Sequence, residues 1–149
     1  MNALDGGIYD VLTIAAVAND PDMVSLAMEL GNKPDLVTSI YDGTALIAAA
    51  HLGHHDVVAR LVAGGAPLDF INNLKWTALI ESVILGDGGP NHVKTAQILV
   101  EAGADKSIGD KSGVTALCMA GVLYWVATIP LNVRRHVITN WSADCTLSS

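Results

Sequence analysis

The sequence predicts an all-α solenoid in which short helix pairs stack side by side and are joined by hairpin turns. Three observations predict it. The block "TALIAAAHLG" from Thr44 returns 33 residues later as "TALIESVILG" from Thr77, and 38 residues after that as "TALCMA" from Thr115. "HHDVVARLVAGGA" (His54–Ala66) aligns with "HVKTAQILVEAGA" (His92–Ala104), also at an offset of 38. Hydrophobic residues make up 51% of the 149 but aromatics only 5%, so small and aliphatic side chains must fill the core.

The elements follow in order. "LTIAAVANDPDMVSLAMELG" (Leu12–Gly31) aligns with "LIAAAHLGHHDVVARLVAGG" (Leu46–Gly65) at an offset of 34, which places a first helix pair upstream. In the second unit Leu46, Ala49 and Ala50 recur at helical spacing, and Gly53 stops that helix. His54 and His55 lead into a second helix with Val57, Val58, Leu61 and Val62 on one apolar face. Gly64 and Gly65 end it by supplying the positive φ that a helix C-terminus favours. An extended turn through Asn72 and Asn73 carries the chain to Thr77. The third unit repeats this order with "DGGPN" (Asp87–Asn91) inserted, although Gly53 joins His54 directly one unit earlier. A helix pair of this size cannot bury its own apolar face, so neighbouring units must stack.

The unit has T-x-L near its start, an Ala pair, G-H, then V-V-x-x-L-V-x-x-G-A, and it resembles the ankyrin repeat. The family's T-P-L-H appears as "TALI" at Thr44 and Thr77 and as "TALC" at Thr115. Its G-H junction is Gly53-His54, split into Gly86 and His92 in the next unit. The resemblance covers about residues 10–120 as three repeats (10–43, 44–76, 77–114) and a partial fourth (115–121), within a single domain of residues 1–149. The block "NNLKWTALIESVILGDGGPNH" is similar to a group of bacterial ankyrin proteins that share a GDGGPxH loop. Residues 122–149 depart from the pattern, with the helix breaker Pro130 and an apolar tail holding Trp125 and Trp141. That tail is expected either to cap the stack or to pair two chains into a homo-oligomer.

The resemblance implies an ankyrin-repeat solenoid with short β-hairpin turns. It also implies a non-catalytic scaffold that binds a protein or peptide partner through hairpin tips and a concave face. Carried over by position, the tips are Ile40, Tyr41, Asn73, Leu74, Trp76, Lys111, Ser112 and Val114. The inner-helix positions are Val17, Ala18, His51, Leu52, Ile84 and Leu85. Partner contact is expected at Tyr41, His51, Leu52, Asn73, Leu74, Trp76, Ile84 and Leu85, centred on Trp76, because many of these repeat-variable positions hold large apolar side chains. For Trp76 the competing expectation is packing against its own neighbouring hairpin.

Charge narrows the partner class. The formal charge is −7, and residues 1–56 carry eight acids against one base, Lys33. No basic face exists for a nucleic acid. The longest apolar run, "AGVLYWVATIPL", is 12 residues, against the roughly 20 that a membrane span requires. The start "MNALDGGIYD" shows no signal peptide, so a cytoplasmic protein is expected; a leader already removed would instead mean export. Cys118 and Cys145 lack metal-ligand spacing and are expected as reduced thiols.

One stretch suggests other chemistry. "GDGGPNH" is glycine-rich but lacks the Lys and Ser/Thr of a nucleotide loop, and Asp87 would repel phosphate. Glu81 stands where the previous unit has Ala48, on the inner helix, where a charge is costly. Glu81, Asp87 and His92 form the alternative small-ligand or metal site, with acid–base catalysis as its enzymatic extension. The favoured expectation is structural: Glu81 anchors the loop through amides near Gly88 and Gly89, and His92 begins the next helix. No nucleophilic triad has a motif, so no enzyme, cofactor or metal is expected.

Overall fold

The structure, a computed structural model, describes residues 9–86 and 88–122, with side chains through Ala120. Among the described residues seven helices follow in order: α1 (Val11–Val17), α2 (Pro21–Glu29), α3 (Ala45–Leu52), α4 (His55–Ala63), α5 (Ala78–Ile84), α6 (Pro90–Glu101) and α7 (Ala116–Val122). They form two rows. The inner row packs α1 on α3, α3 on α5 and α5 on α7, and the outer row packs α2 on α4 and α4 on α6. Within each unit α1 lies against α2, α3 against α4, and α5 against α6.

Each inner helix starts the same way. The side chains of Asp10, Thr44 and Thr77 accept from the amides of Thr13 (2.9 Å), Ile47 (3.4 Å) and Ile80 (3.2 Å). Thr115 repeats the contact with the amide of Cys118 at 3.3 Å. The recurring Thr is therefore a helix cap, satisfying a backbone donor that the helix itself leaves unpaired. Gly53 ends α3 with φ 70°, a left-handed conformation that a side chain would strain. α4 ends at Gly64 with an ordinary negative φ, and Gly65 takes the positive one.

The insertion alters the third unit in a way its glycines did not suggest. α6 begins at Pro90 with Gly89 as its cap, so His92 lies inside the first turn instead of beginning the helix. Proline fixes φ and needs no amide partner at the first helical position, so it extends the helix backward. Gly86, the counterpart of Gly53, is kept by a different constraint. A β-carbon there would lie 2.4 Å from the carbonyl oxygen of Ser82.

Between units the chain makes tight hairpins. Thr38 and Gly43 exchange amide–carbonyl bonds of 2.8 and 3.0 Å, and Gly109 bridges Thr115 in the same antiparallel sense. The core runs through the whole stack, from Leu12 and Val24 through Leu46, Val57 and Leu61 to Ile80, Leu99 and Leu117. Trp76 and Ile84 are half-buried and pack against it. Of the two cysteines expected as reduced thiols, Cys145 lies outside the described residues. Residues 123–149, including the expected cap or pairing surface with Trp125 and Trp141, lie outside the described residues.

Two substitutions separate capping from burial. Thr77→Ala should lower unfolding free energy by about 1 kcal/mol. Ile80→Ala, one turn along and fully enclosed, should lower it by about 2–5 kcal/mol. Urea titration of both variants checks the order, and a larger loss for the cap would contradict it.

Candidate functional site

The site is built on a polar group in an apolar helix. Glu81 projects from α5 and is only 4% exposed. A carboxylate in such a place loses its water and must be compensated by donors. Two donors reach it, neither from the inserted loop. The side-chain amide of Asn72 donates to Oε1 at 3.0 Å, and Nδ1 of His51 lies 3.1 Å from Oε2. The expectation that Glu81 anchors the loop near Gly88 and Gly89 is therefore corrected. Its partners come from the preceding hairpin and the neighbouring inner helix.

Asn72 is chemically suited to this position. Its Oδ1 accepts from the amides of Leu74 and Trp76, both at 3.0 Å, and so closes the hairpin. In the next hairpin Asp110 does the same with Ser112 (2.8 Å) and Val114 (3.0 Å). An aspartate at position 72 would set a second carboxylate against Glu81. The amide provides an acceptor on one side for the hairpin and a donor on the other for Glu81.

Burial raises the Glu81 pKa above its ordinary 4.5, while the hydrogen bond and charge of His51, and then the amide of Asn72, pull it back. With Glu81 ionised, the contact is satisfied only when Nδ1 of His51 carries the proton. The other ring nitrogen of a neutral His51 is then a lone-pair acceptor.

These groups form the floor of a cleft of about 220 Å³ between the first hairpin and the inner helices. Its lining includes Tyr9, Thr13, Val17, Tyr41, Ile47, Leu52, His51, Asn72 and Glu81. Of the residues expected to meet a partner, Tyr41, His51 and Leu52 come together here, joined by Val17. Leu74, Asn73 and Leu85 are exposed but lie outside the cleft, and Trp76 and Ile84 turn toward the core. Thr13 and Tyr9 were not singled out by sequence, and Asn72 only as a turn residue. For Asn72 a signal existed: an amide stands where the next unit has Asp110, nine residues before a misplaced acid.

The alternative set does not converge. Nε2 of His92 lies 3.0 Å from the carbonyl oxygen of His51, and its ring lies over Gly53, where a β-carbon would come within 2.9 Å of it. His54 makes the equivalent contact one unit earlier, with Nδ1 3.0 Å from the carbonyl oxygen of Ala16. Both rings thus tie one unit to the inner helix of the unit before. Asp87 lies outside the described residues. Among the described residues no group of three or more His, Cys, Asp or Glu side chains is placed to hold a metal ion.

The recurring caps, paired helices and histidine ties are matched by a family model described as ankyrin repeats, in three copies over residues 12–110. The chain belongs to the ankyrin-repeat family. Its relatives include the ankyrin repeat protein YahD of Escherichia coli (strain K12), 35% identical over 101 residues, which cover 66% of this chain and 50% of YahD. The glycerophosphocholine phosphodiesterase gde1 of Schizosaccharomyces pombe is 31% identical over 85 residues, covering 57% of this chain and 8% of that protein. The ankyrin-repeat chain therefore spans about half the length of YahD and a small part of gde1. A solved ankyrin repeat domain from Acinetobacter baumannii AYE superposes with a TM-score of 0.61 at 27% identity, covering 92% of this chain and 84% of that one. Ankyrin repeats are typically protein-interaction scaffolds rather than enzymes. Among the described residues no helix is long and apolar enough to cross a membrane.

Two measurements probe the buried pair. Because folding raises the Glu81 pKa, the native state holds that proton more tightly than the unfolded chain. Its contribution to stability is thus fully present below the ordinary 4.5 and falls as pH rises through the raised value. Stability of the wild type relative to Glu81→Gln should decline over that window in pH-dependent urea unfolding; a rise would contradict the burial argument. Asn72→Asp keeps the hairpin bonds and replaces the donor with a second acid. It should cost about 1–3 kcal/mol at neutral pH, with partial recovery in acid.

Proposed function

We propose that the chain is a non-catalytic scaffold that grips a protein or peptide partner on its concave face, with the cleft beside Tyr41 as the centre of contact. The observation that carries this reading is the apolar lining left uncovered around the cleft. Tyr41 is 50% exposed, Val17 47% and Leu52 40%, on three separate elements that face one another. Large side chains left in water on a rigid concave surface gain about 1.5–3 kcal/mol each when a partner covers them. Leu74 and Leu85 continue the surface along the next repeat.

Rigidity favours the same reading. The first and second hairpins are fastened together, since the backbone amide of Asn73 donates to the carbonyl oxygen of Tyr41 at 2.9 Å and its side chain to that of Ile40 at 3.1 Å. The tips are thereby set before a partner arrives, which lowers the ordering cost of binding. Since ankyrin scaffolds carry many unrelated roles, the partner must be read from the groove and not from the fold.

Photo-crosslinking tests the reading. Benzoylphenylalanine in place of Tyr41 should capture a polypeptide in the native host, and in place of Asp56 on the outer row it should not. Leu52→Asp should abolish the capture while the helical circular dichroism is unchanged. Equal labelling from both positions, or labelling indifferent to Leu52→Asp, would overturn it.

A further inference from the structure

The cleft has a polarity that its apolar walls conceal. Its floor holds Glu81, a carboxyl group almost entirely removed from water, and among the described residues that line it there is no Lys or Arg. Each Glu81 oxygen receives one hydrogen bond, from Asn72 or from His51, and each has a further lone pair. His51, with Nδ1 turned to Glu81, offers its other nitrogen as an acceptor, and its side chain is 49% exposed. The amide of Asn72 spends one face on Glu81 and the other on its hairpin. The polar floor therefore presents the remaining lone pairs of Glu81 and, in that tautomer of His51, an imidazole acceptor to whatever enters.

The walls suit a cation carried on an aliphatic stem. Tyr9 and Tyr41 supply aromatic rings that attract a positive charge, and Val17, Ile47 and Leu52 supply apolar surface for methylenes. The net charge of the first 56 residues has the matching sign. Residues 1–56, which provide α1, α2, α3 and the first hairpin, carry eight acids and a single Lys. A field of that sign draws basic segments toward the groove and repels acidic ones.

From these features we infer that the cleft receives a lysine or arginine side chain of the partner polypeptide, its stem on Val17 and Leu52 and its charged head against Glu81 and His51. The inference rests on the scaffold reading and deepens it by naming the chemistry of the contact. It also gives the misplaced carboxylate a role. A glutamate that costs folding energy in the free protein becomes a counter-ion in the complex, where the entering cation supplies the charge that burial left uncompensated. A charged donor on a carboxylate in a water-poor cleft contributes more than the same contact on an open surface.

A displayed library of random 12-residue peptides, selected on the wild-type protein and counter-selected on the uncharged Leu52→Asn, provides the probe. The selected peptides should share a Lys or Arg. Replacing that residue by norleucine or citrulline, which keep the stem and remove the charge, should weaken binding about tenfold. Glu81→Gln should weaken the basic peptide by a similar factor and leave the norleucine peptide unchanged. Peptides that require Leu52 but hold no critical basic residue, or that bind Glu81→Gln equally well, overturn the inference and leave the scaffold reading standing. If no selected peptide depends on Leu52, the scaffold reading fails and this inference with it. The citrulline comparison alters only the peptide, so it decides the matter even should Glu81→Gln fold poorly.

Discussion

A pair of helices seven to twelve residues long cannot enclose its own apolar face, and everything else in this protein follows from that constraint. Each unit completes its neighbour. Leu46, Val57 and Leu61 are sealed only because units stand on both sides of them. Polar groups at the joints find partners across them as well. His54 reaches Ala16 and His92 reaches His51, while within the first unit Thr13 and Thr38 share a 2.9 Å hydroxyl contact. These ties hold register where apolar packing alone would let units slide.

Glu81 is the same rule carried to a charge. At the corresponding place α3 has Ala48, and α1 has Ile14. A carboxylate there is tolerable because α3 offers an imidazole and the hairpin before α5 offers an amide. The arrangement links folding to function through one group. The donors that make Glu81 acceptable in the core leave its remaining lone pairs, and the outer nitrogen of His51, at the bottom of a groove between hairpin and helices. Apolar walls raise the strength of any charge interaction within reach.

Much of the fold was legible in the sequence, because it depends on features that recur at fixed offsets. Thr44, Thr77 and Thr115 cap inner helices, and Gly53 ends one in a left-handed conformation. The start of α6 was misplaced by two residues, since the alignment on His92 overrode the preference of Pro90 for a first helical turn. The site was harder to read. That Glu81 stood at an unusual position was plain, but its partners lie nine residues away in a hairpin and 30 away on another helix. No local pattern joins those positions; only the stacking does. Trp76 drew attention as an exposed anchor because tip residues are usually solvated, yet it is half-buried against the core, and the more exposed Tyr41 lines the cleft.

The central claim is that buried Glu81, when ionised, holds the Nδ1 proton of His51 and leaves the other ring nitrogen as an acceptor. Nitrogen-15 NMR of the His51 ring reads this directly. At a pH where Glu81 is ionised and the ring neutral, the account predicts the tautomer protonated at Nδ1, with a strong coupling lost in Glu81→Gln. Predominance of the tautomer protonated at Nε2 would contradict it, because Glu81 would then face a lone pair and the cleft floor would present a donor.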